Sequence, residues 1–165
     1  MMRKKPMLAY PVSDKPINYE DKVFMQPKLD GVRCVIQYDG EVKAYSRTGK
    51  EWKNIEHILF NLKPWFILNP NVILDGELYN HDLKDDFETI ISLVRRQKPD
   101  DIDMIESADL VQFHCYDIID EELPFDQRIE FVTEALMLLG DSIHTVDTMQ
   151  IPNQFEAEEM HEVNM

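Results

Sequence analysis

Apolar and polar positions alternate in short runs through the first third of the chain and fall into helical spacing over much of the remainder. A run at 23–29 (Val23, Phe24, Met25) gives way to Asp30-Gly31, and a second at 31–38 (Val32, Val35, Ile36) begins at once, so both read as strands. Asp-Gly between strand-like segments favours a tight reversal, because Gly takes positive φ without a Cβ penalty. Asp39-Gly40 is the strongest hairpin signal, with 41–47 pairing back from it, and Thr48-Gly49-Lys50 turns the chain again. The spacing predicts a short helix over 55–62 (Ile55, Ile58, Leu59, Leu62), ended by Pro64, and then a strand over 72–79. A helix over 85–97 follows, with Phe87, Ile90, Ile91 and Val94 on one face and Asp85-Asp86 suited to its positive end. Residues 99–109 read as an acidic loop opened by proline, 110–119 as a strand, and 125–139 as a helix (Ile129, Val132, Leu136, Leu139) capped by Gly140. A further strand is expected at 143–149. Prolines 6, 11 and 16 make 1–22 a loop, and from Pro152-Asn153 onward the chain reads as the start of a helix. Hairpins with interspersed helices predict an α+β fold, with a largely antiparallel sheet and flanking helices.

The 165 residues, 44 % apolar, suffice for one domain with a real core and are short for two. No run approaches the length of a membrane span, and the first residues lack the apolar core of a signal peptide, so no membrane partner is expected. Cys34 and Cys115 each fall inside a strand-like segment. They read as buried reduced thiols of a cytosolic protein rather than as a disulfide. The net charge of −15 argues against nucleic-acid binding by the surface as a whole, yet it is unevenly spread. Residues 1–60 hold 11 Lys/Arg against 8 Asp/Glu, and residues 61–165 hold 6 against 24. Local field matters more than the total in steering an anion, so the first third can still attract phosphates.

Four stretches could carry chemistry. In Lys28-Leu29-Asp30-Gly31-Val32-Arg33, the expected reversal would hold Lys28 at a sheet rim with Arg33 returning close to it. That placement suits an attacking amine; the alternative is a surface lysine beside a hairpin. In Ser46-Arg47-Thr48-Gly49-Lys50, two cations flank a Gly turn, which suits phosphate or ribose contacts, or is a solvated basic turn. In Leu74-Asp75-Gly76-Glu77-Leu78, period-two alternation puts Asp75 and Glu77 on one face of an apolar strand. Buried there they need a cation, a metal or hydroxyl donors; at a sheet edge they need only water. In Phe113-His114-Cys115-Tyr116-Asp117-Ile118, an aromatic before an acid can offer a ring face to a purine. Phe113 and Tyr116 fall on opposite faces, so one of them is expected in the core. The five histidines show no metal-ligand spacing, and neither G-x-x-x-x-G-K-[ST] nor G-x-G-x-x-G occurs.

Taken in order, these stretches resemble the ATP-dependent DNA ligase family, covalent nucleotidyltransferases related to RNA ligases and mRNA capping enzymes. Lys28-x-Asp30-Gly31-x-Arg33 is similar to the nucleophile element and Ser46 to Lys50 to the second. Asp75 to Leu78 is similar to the third element, and Phe113 to Ile118 to the aromatic-acid element after it. Pro6-Met7-Leu8-Ala9 looks like the segment that often precedes the nucleophile. The resemblance implies a nucleotidyltransferase adenylation-domain fold, ATP and Mg2+ as cofactors, nicked double-stranded DNA as partner, and a monomer. Lys28 would be the adenylylated residue. Arg33 and Arg47 would contact phosphates and the nick's 5′ end, and Glu77 the ribose or, as the metal candidate, Mg2+. Tyr116 would stack on adenine and Gln26 would read its edge, with Asp30, Gly31, Lys50 and Asp75 supporting. The family continues into a Glu-Gly element, a Lys-x-Lys element and an OB-fold domain, none of which is found here. Residues 1–165 are therefore expected to be the N-terminal part of an incomplete adenylation domain. An RNA ligase or capping-type transferase, and a non-catalytic nucleotide- or DNA-end-binding domain, are the alternatives. The cytoplasm, nucleoid, or host cytoplasm for a viral protein, is the expected location.

Overall fold

The computed structural model describes residues 23–26, 28–119, 124–136, 139–146 and 148–151. The expected loop over 1–22 and the helix start after 152 lie outside them. The chain forms two compact units, one built on Leu29–Thr145 and the other including Met7–Lys28 and Val146–Met165. In the second, β1 (Val23–Met25) pairs antiparallel with β8 (Met149–Ile151), and the Gln26 amide donates to Thr148 Oγ1 at 2.8 Å.

The first unit holds a six-stranded sheet built from β2 (Val32–Tyr38), β3 (Val42–Tyr45), β4 (Glu51–Trp52), β5 (Leu74–Tyr79), β6 (Gln112–Ile118) and β7 (Ile143–Thr145). Its order is β4-β3-β2-β5-β6-β7, with every neighbouring pair antiparallel except β6 and β7. The expected α+β class with a largely antiparallel sheet therefore holds, with one parallel pairing. Around the sheet lie α1 (Glu56–Leu68), α2 (Phe87–Val94), α3 (Asp101–Leu110) and α4 (Phe125–Leu136). One sheet face carries Cys34, Ile36, Leu74, Leu78 and Phe113 into a core completed by Ile58, Leu62 and Phe66 of α1, Ile90 of α2 and Val132 of α4.

Several expectations need correction. Asp30-Gly31 does not close a hairpin, because β1 pairs with β8 while β2 pairs with β3 and β5. Gly31 is required instead by close approach: a Cβ there would sit 2.5 Å from Leu78 O and 2.9 Å from Glu77 Oε2. Pro64 does not end α1, which runs on to Leu68. The stripe Ile58, Leu62, Phe66 continues past it, and burying Phe66 offsets much of the loss of one helical hydrogen bond. Residues 99–109 are no loop. Asp100 and Asp103 form a reciprocal capping box that starts α3, and Ser107 Oγ donates to Asn54 O while Asn54 Nδ2 donates to Asp103 O. Ile102 and Ile105 stay exposed, so α3 has no clear apolar stripe for a helical period to show. The strand expected at 143–149 is two strands, in different sheets.

Cys34 and Cys115 are free and buried. Both face Gly76, which pairs with Cys34 on one side and Cys115 on the other. Two strand spacings of about 4.8 Å each separate their Cα atoms, beyond disulfide reach.

Gly76 has no room for a side chain: a Cβ would lie 2.8 Å from Phe113 Cε1 and 2.9 Å from Cys115 Cα. Gly76→Ala is expected to destabilise the protein by about 1–3 kcal/mol, read as a lowered midpoint of urea unfolding. An unchanged midpoint would show that β5 and β6 are packed less tightly than described.

Candidate active site

Strand register brings chemistry-bearing side chains into one row on the sheet face opposite the core. Arg33 of β2 pairs with Glu77 of β5, Glu77 with His114 of β6, and His114 with His144 of β7. The next row places Val35 opposite Asp75, and Asp75 opposite Asp117. Between the two rows the register of β5 and β6 slips, so that Gly76 meets Cys115 while Asp75 meets Asp117. Tyr116 is thus the extra residue of a β-bulge, a device that redirects a side chain.

The groups in this patch are tightly coupled. Arg33 forks onto Asp75, with Nε to Oδ1 at 2.8 Å and Nη2 to Oδ2 at 2.7 Å. Its guanidinium carbon also lies 5.2 Å from the centre of the Tyr116 ring. Burial lifts the Asp75 carboxyl above its usual range against the pull of Arg33. Burial alone would lower Arg33, but Asp75, with Tyr116 and Glu77 adding to it, outweighs that and the net shift is upward. The Tyr116 hydroxyl is pushed well above the usual phenol range by burial and by the Asp75 charge, so it stays protonated at neutral pH.

Glu77 is the group left over. Its Oε2 is buried with no hydrogen-bond partner. Burial pushes its carboxyl up to about 7, with Asp75 adding to the shift and Arg33 and the Gly31 N–H opposing it. A buried acceptor of this kind costs free energy until a donor or cation reaches it.

Two features escaped the sequence reading. Arg128 of α4 forks onto Asp117, with Nε to Oδ1 at 2.8 Å and Nη2 to Oδ2 at 3.2 Å, and ties the helix to the end of β6. The imidazoles of His114 and His144 stack at 4.7 Å, and the Tyr79 ring meets His114 edge-on at 5.1 Å. Burial, His144 and His81 together push His114 down to about 4, so it is neutral at physiological pH. The signal for this stack was the parallel pairing of β6 with β7, which no local pattern announces.

The structure therefore brings together Arg33, Asp75, Glu77 and Tyr116. Asp30 is exposed, and Gly31 packs its backbone against β5. Arg47 and Lys50 stand exposed on a separate turn, held by Ser46 N to Lys50 O at 2.7 Å, by Lys50 N to Ser46 Oγ at 3.0 Å, and by Gly49 at φ +97°. Lys28 is exposed and belongs, with Gln26, to the unit of β1 and β8. Among the described residues no group of three or more His, Cys, Asp or Glu could hold a metal ion. No helix among them is long and apolar enough to cross a membrane.

Residues 6–165 match the family of the ATP dependent DNA ligase domain. A DNA ligase of African swine fever virus (isolate Pig/Kenya/KEN-50/1950) is 30% identical over 146 residues, which cover 84% of this chain and 33% of that protein. Among solved structures, Pmar-Lig_PreS3 superposes with a TM-score of 0.73 at 21% identity, over 95% of this chain and 39% of that one. The ATP-dependent DNA ligase from bacteriophage T7, in complex with ATP, gives 0.59 at 18% identity, over 84% and 52%. At such identities the solved structures establish the fold, an adenylation-domain architecture present in part. The chain spans about a third of the length of the viral ligases it matches. With the family match running from residue 6 to residue 165, the chain belongs to the ATP-dependent DNA ligase domain family.

Proposed function

We propose that the protein seals nicks in double-stranded DNA through a lysyl-adenylate formed from ATP. The observation that carries the reading is the orphaned Oε2 of Glu77, buried beside the Arg33–Asp75 fork and the Tyr116 ring. An unpaired acceptor, a fixed guanidinium and an aromatic face answer a ribose hydroxyl, a phosphate and a purine.

Lys28 is the nucleophile. Its Nζ, as the free amine, attacks the α-phosphorus of ATP, a P–N bond forms, the amine gives up its proton, and pyrophosphate leaves. A phosphate oxygen at the 5′ side of the nick then displaces Lys28 from the adenylate. The 3′-hydroxyl finally attacks that 5′-phosphate, closes the backbone and expels AMP. Arg33 and Arg47 balance the charge that builds on phosphate oxygens, and Gln26 offers its side-chain amide to the adenine edge.

Glu77 is also the residue to hold Mg2+. A carboxylate oxygen of Glu77 would be the ligand this patch offers to that ion, which does not require a cluster of acids. When bound, Mg2+ supplies charge neutralisation at the phosphates.

Two outcomes test this reading. Lys28→Ala is expected to retain no covalent label after incubation with α-labelled ATP and Mg2+, whereas the parent protein is labelled. Label persisting in the variant would falsify the nucleophile, and labelling from GTP with sealing of RNA in place of DNA would move the protein to the capping or RNA-ligase branch. The second concerns Glu77 in the absence of nucleotide. Its folded carboxyl titrates at about 7, above its ordinary 4.5. A carboxyl raised on folding contributes stability below 4.5 that is lost as pH rises through 7. Glu77→Gln should therefore be more stable than the parent at pH 8, by about 2 kcal/mol after allowing for partial solvent screening. The gap should close toward pH 4.5 in thermal melts; a gap that does not vary with pH would show the carboxyl to be unperturbed.

A further inference from the structure

We infer that Arg128 is a positioning residue of the candidate site. By occupying Asp117, it keeps that carboxylate from drawing Arg33 off Asp75, and so holds the guanidinium and the Tyr116 ring where a nucleotide meets them. This rests on the nick-sealing reading for what Arg33 and Tyr116 do, and adds Asp117 and Arg128, to which that reading gives no part.

Strand register sets up the competition. Asp75 and Asp117 are partners on β5 and β6, and cross-strand partners share a face with their Cβ atoms about 5 Å apart. Like charges so placed destabilise a sheet unless each finds its own cation. Here each does. Arg33 reaches Asp75 from β2, and Arg128 reaches Asp117 from α4, both as forks. The two acids still sense each other, since Asp117 adds to the upward shift of the Asp75 carboxyl. The Arg128 and Asp117 side chains are only 14% and 13% exposed, so water gives Asp117 little relief once the arginine is gone. The cation it would then share is Arg33, bound to the acid opposite.

The same fork steadies the aromatic. Tyr116 is the extra residue between Cys115 and Asp117. Asp117 Oδ1 accepts from Arg128 Nε and from Ile118 N, each at 2.8 Å, while the Cys115 thiol donates to Asp117 O at 3.3 Å. A bulged residue has no place of its own in the ladder, so its flanks decide where its ring points. That ring lies 5.2 Å from the Arg33 guanidinium carbon, so arginine and tyrosine move as one unit. Docking α4 is not reason enough for the fork. Val132 and Leu136 already bury the apolar stripe of the helix in the core, and an arginine withdrawn from water for packing alone is a costly choice.

The test follows Arg33 directly. In proton–nitrogen NMR spectra of the full-length protein without nucleotide, the Arg33 Nε–H, identified by its loss in Arg33→Lys, should be a resolved and slowly exchanging signal. Arg128→Ala should shift it and speed its exchange, and adding Asp117→Asn should return it toward the parent position. Arg128→Lys keeps the charge without the fork, should give a smaller displacement in the same direction, and serves where the alanine variant does not fold. An Arg33 signal unmoved in the folded variants would reduce Arg128 to a helix tie and overturn the inference. Labelling with α-labelled ATP gives the second readout. Arg128→Ala should raise the ATP concentration for half-maximal labelling by about 10-fold with a smaller change in maximal rate, because stacking holds the base equally before and during reaction. Arg128→Ala/Asp117→Asn should recover most of that loss although it also lacks the fork, whereas a helix tie predicts no recovery. An unchanged half-saturation in Arg128→Ala would likewise overturn the role. A parent that takes no label, with the Arg33 signal behaving as expected, would overturn nick sealing and leave the positioning of Arg33 standing.

Discussion

The buried fork between Arg33 and Asp75 is the constraint on which this sheet face depends. Removing two charges from water costs several kcal/mol per ion, on the order that a well-made pair can only just return. Leu or Val at both positions would give a cheaper sheet, so the pair makes better sense as a way of holding a guanidinium still. With both Asp75 oxygens engaged, Arg33 is fixed against the Tyr116 ring and pairs across the strands with Glu77. The fork also leaves one acid too many. Two carboxylates and one guanidinium share this patch, and Glu77, whose Oε2 finds no donor, carries the imbalance as a raised titration point.

The backbone around the fork is shaped for the same end. Gly31 and Gly76 are both placed where a Cβ would collide with a neighbouring strand, and neither has positive φ. At Gly31 the collision would be first with Leu78 O and then with Glu77 Oε2, so the absence of a side chain in the lysine-bearing element is what lets β5 approach with its acid. At Gly76 close packing seats Cys34 and Cys115 on the core side, and the bulge at Tyr116 then turns the aromatic toward Arg33. Small residues and one register slip thus convert an ordinary antiparallel pairing into a polar patch with a rigid floor.

Much of this was legible in the residues. Alternation located β2, β3, β5 and β6, Asp39-Gly40 marked their one tight hairpin, and the period of two put Asp75 and Glu77 on a common face. What the sequence could not show was partnership. Asp30-Gly31 carries the local chemistry of a turn, yet strand pairing is settled by distant segments, and β1 finds β8 instead of β2. Pro64 is a helix breaker by local rule, and an apolar stripe four residues apart overrode it. The capping box of α3 was present as Asp100-x-x-Asp103 and went unread because the helix it starts buries so little. The forked partners of Asp75 and Asp117 lie 42 and 11 residues away, and no spacing rule connects them.

The leftover carboxyl has a consequence for how the patch meets a ligand. A group that titrates near neutrality takes its charge from whatever arrives. A phosphate close by would raise Glu77 further and keep it protonated, able to donate a hydrogen bond; a divalent cation would lower it and make it an anionic ligand. Its neighbours are built not to compete for that proton. Tyr116 holds its proton far above this range, and His114 releases its own far below it. Arg33 remains charged throughout. Of Arg33, Glu77, His114 and Tyr116, then, Glu77 is the one group whose state changes between pH 6 and 8.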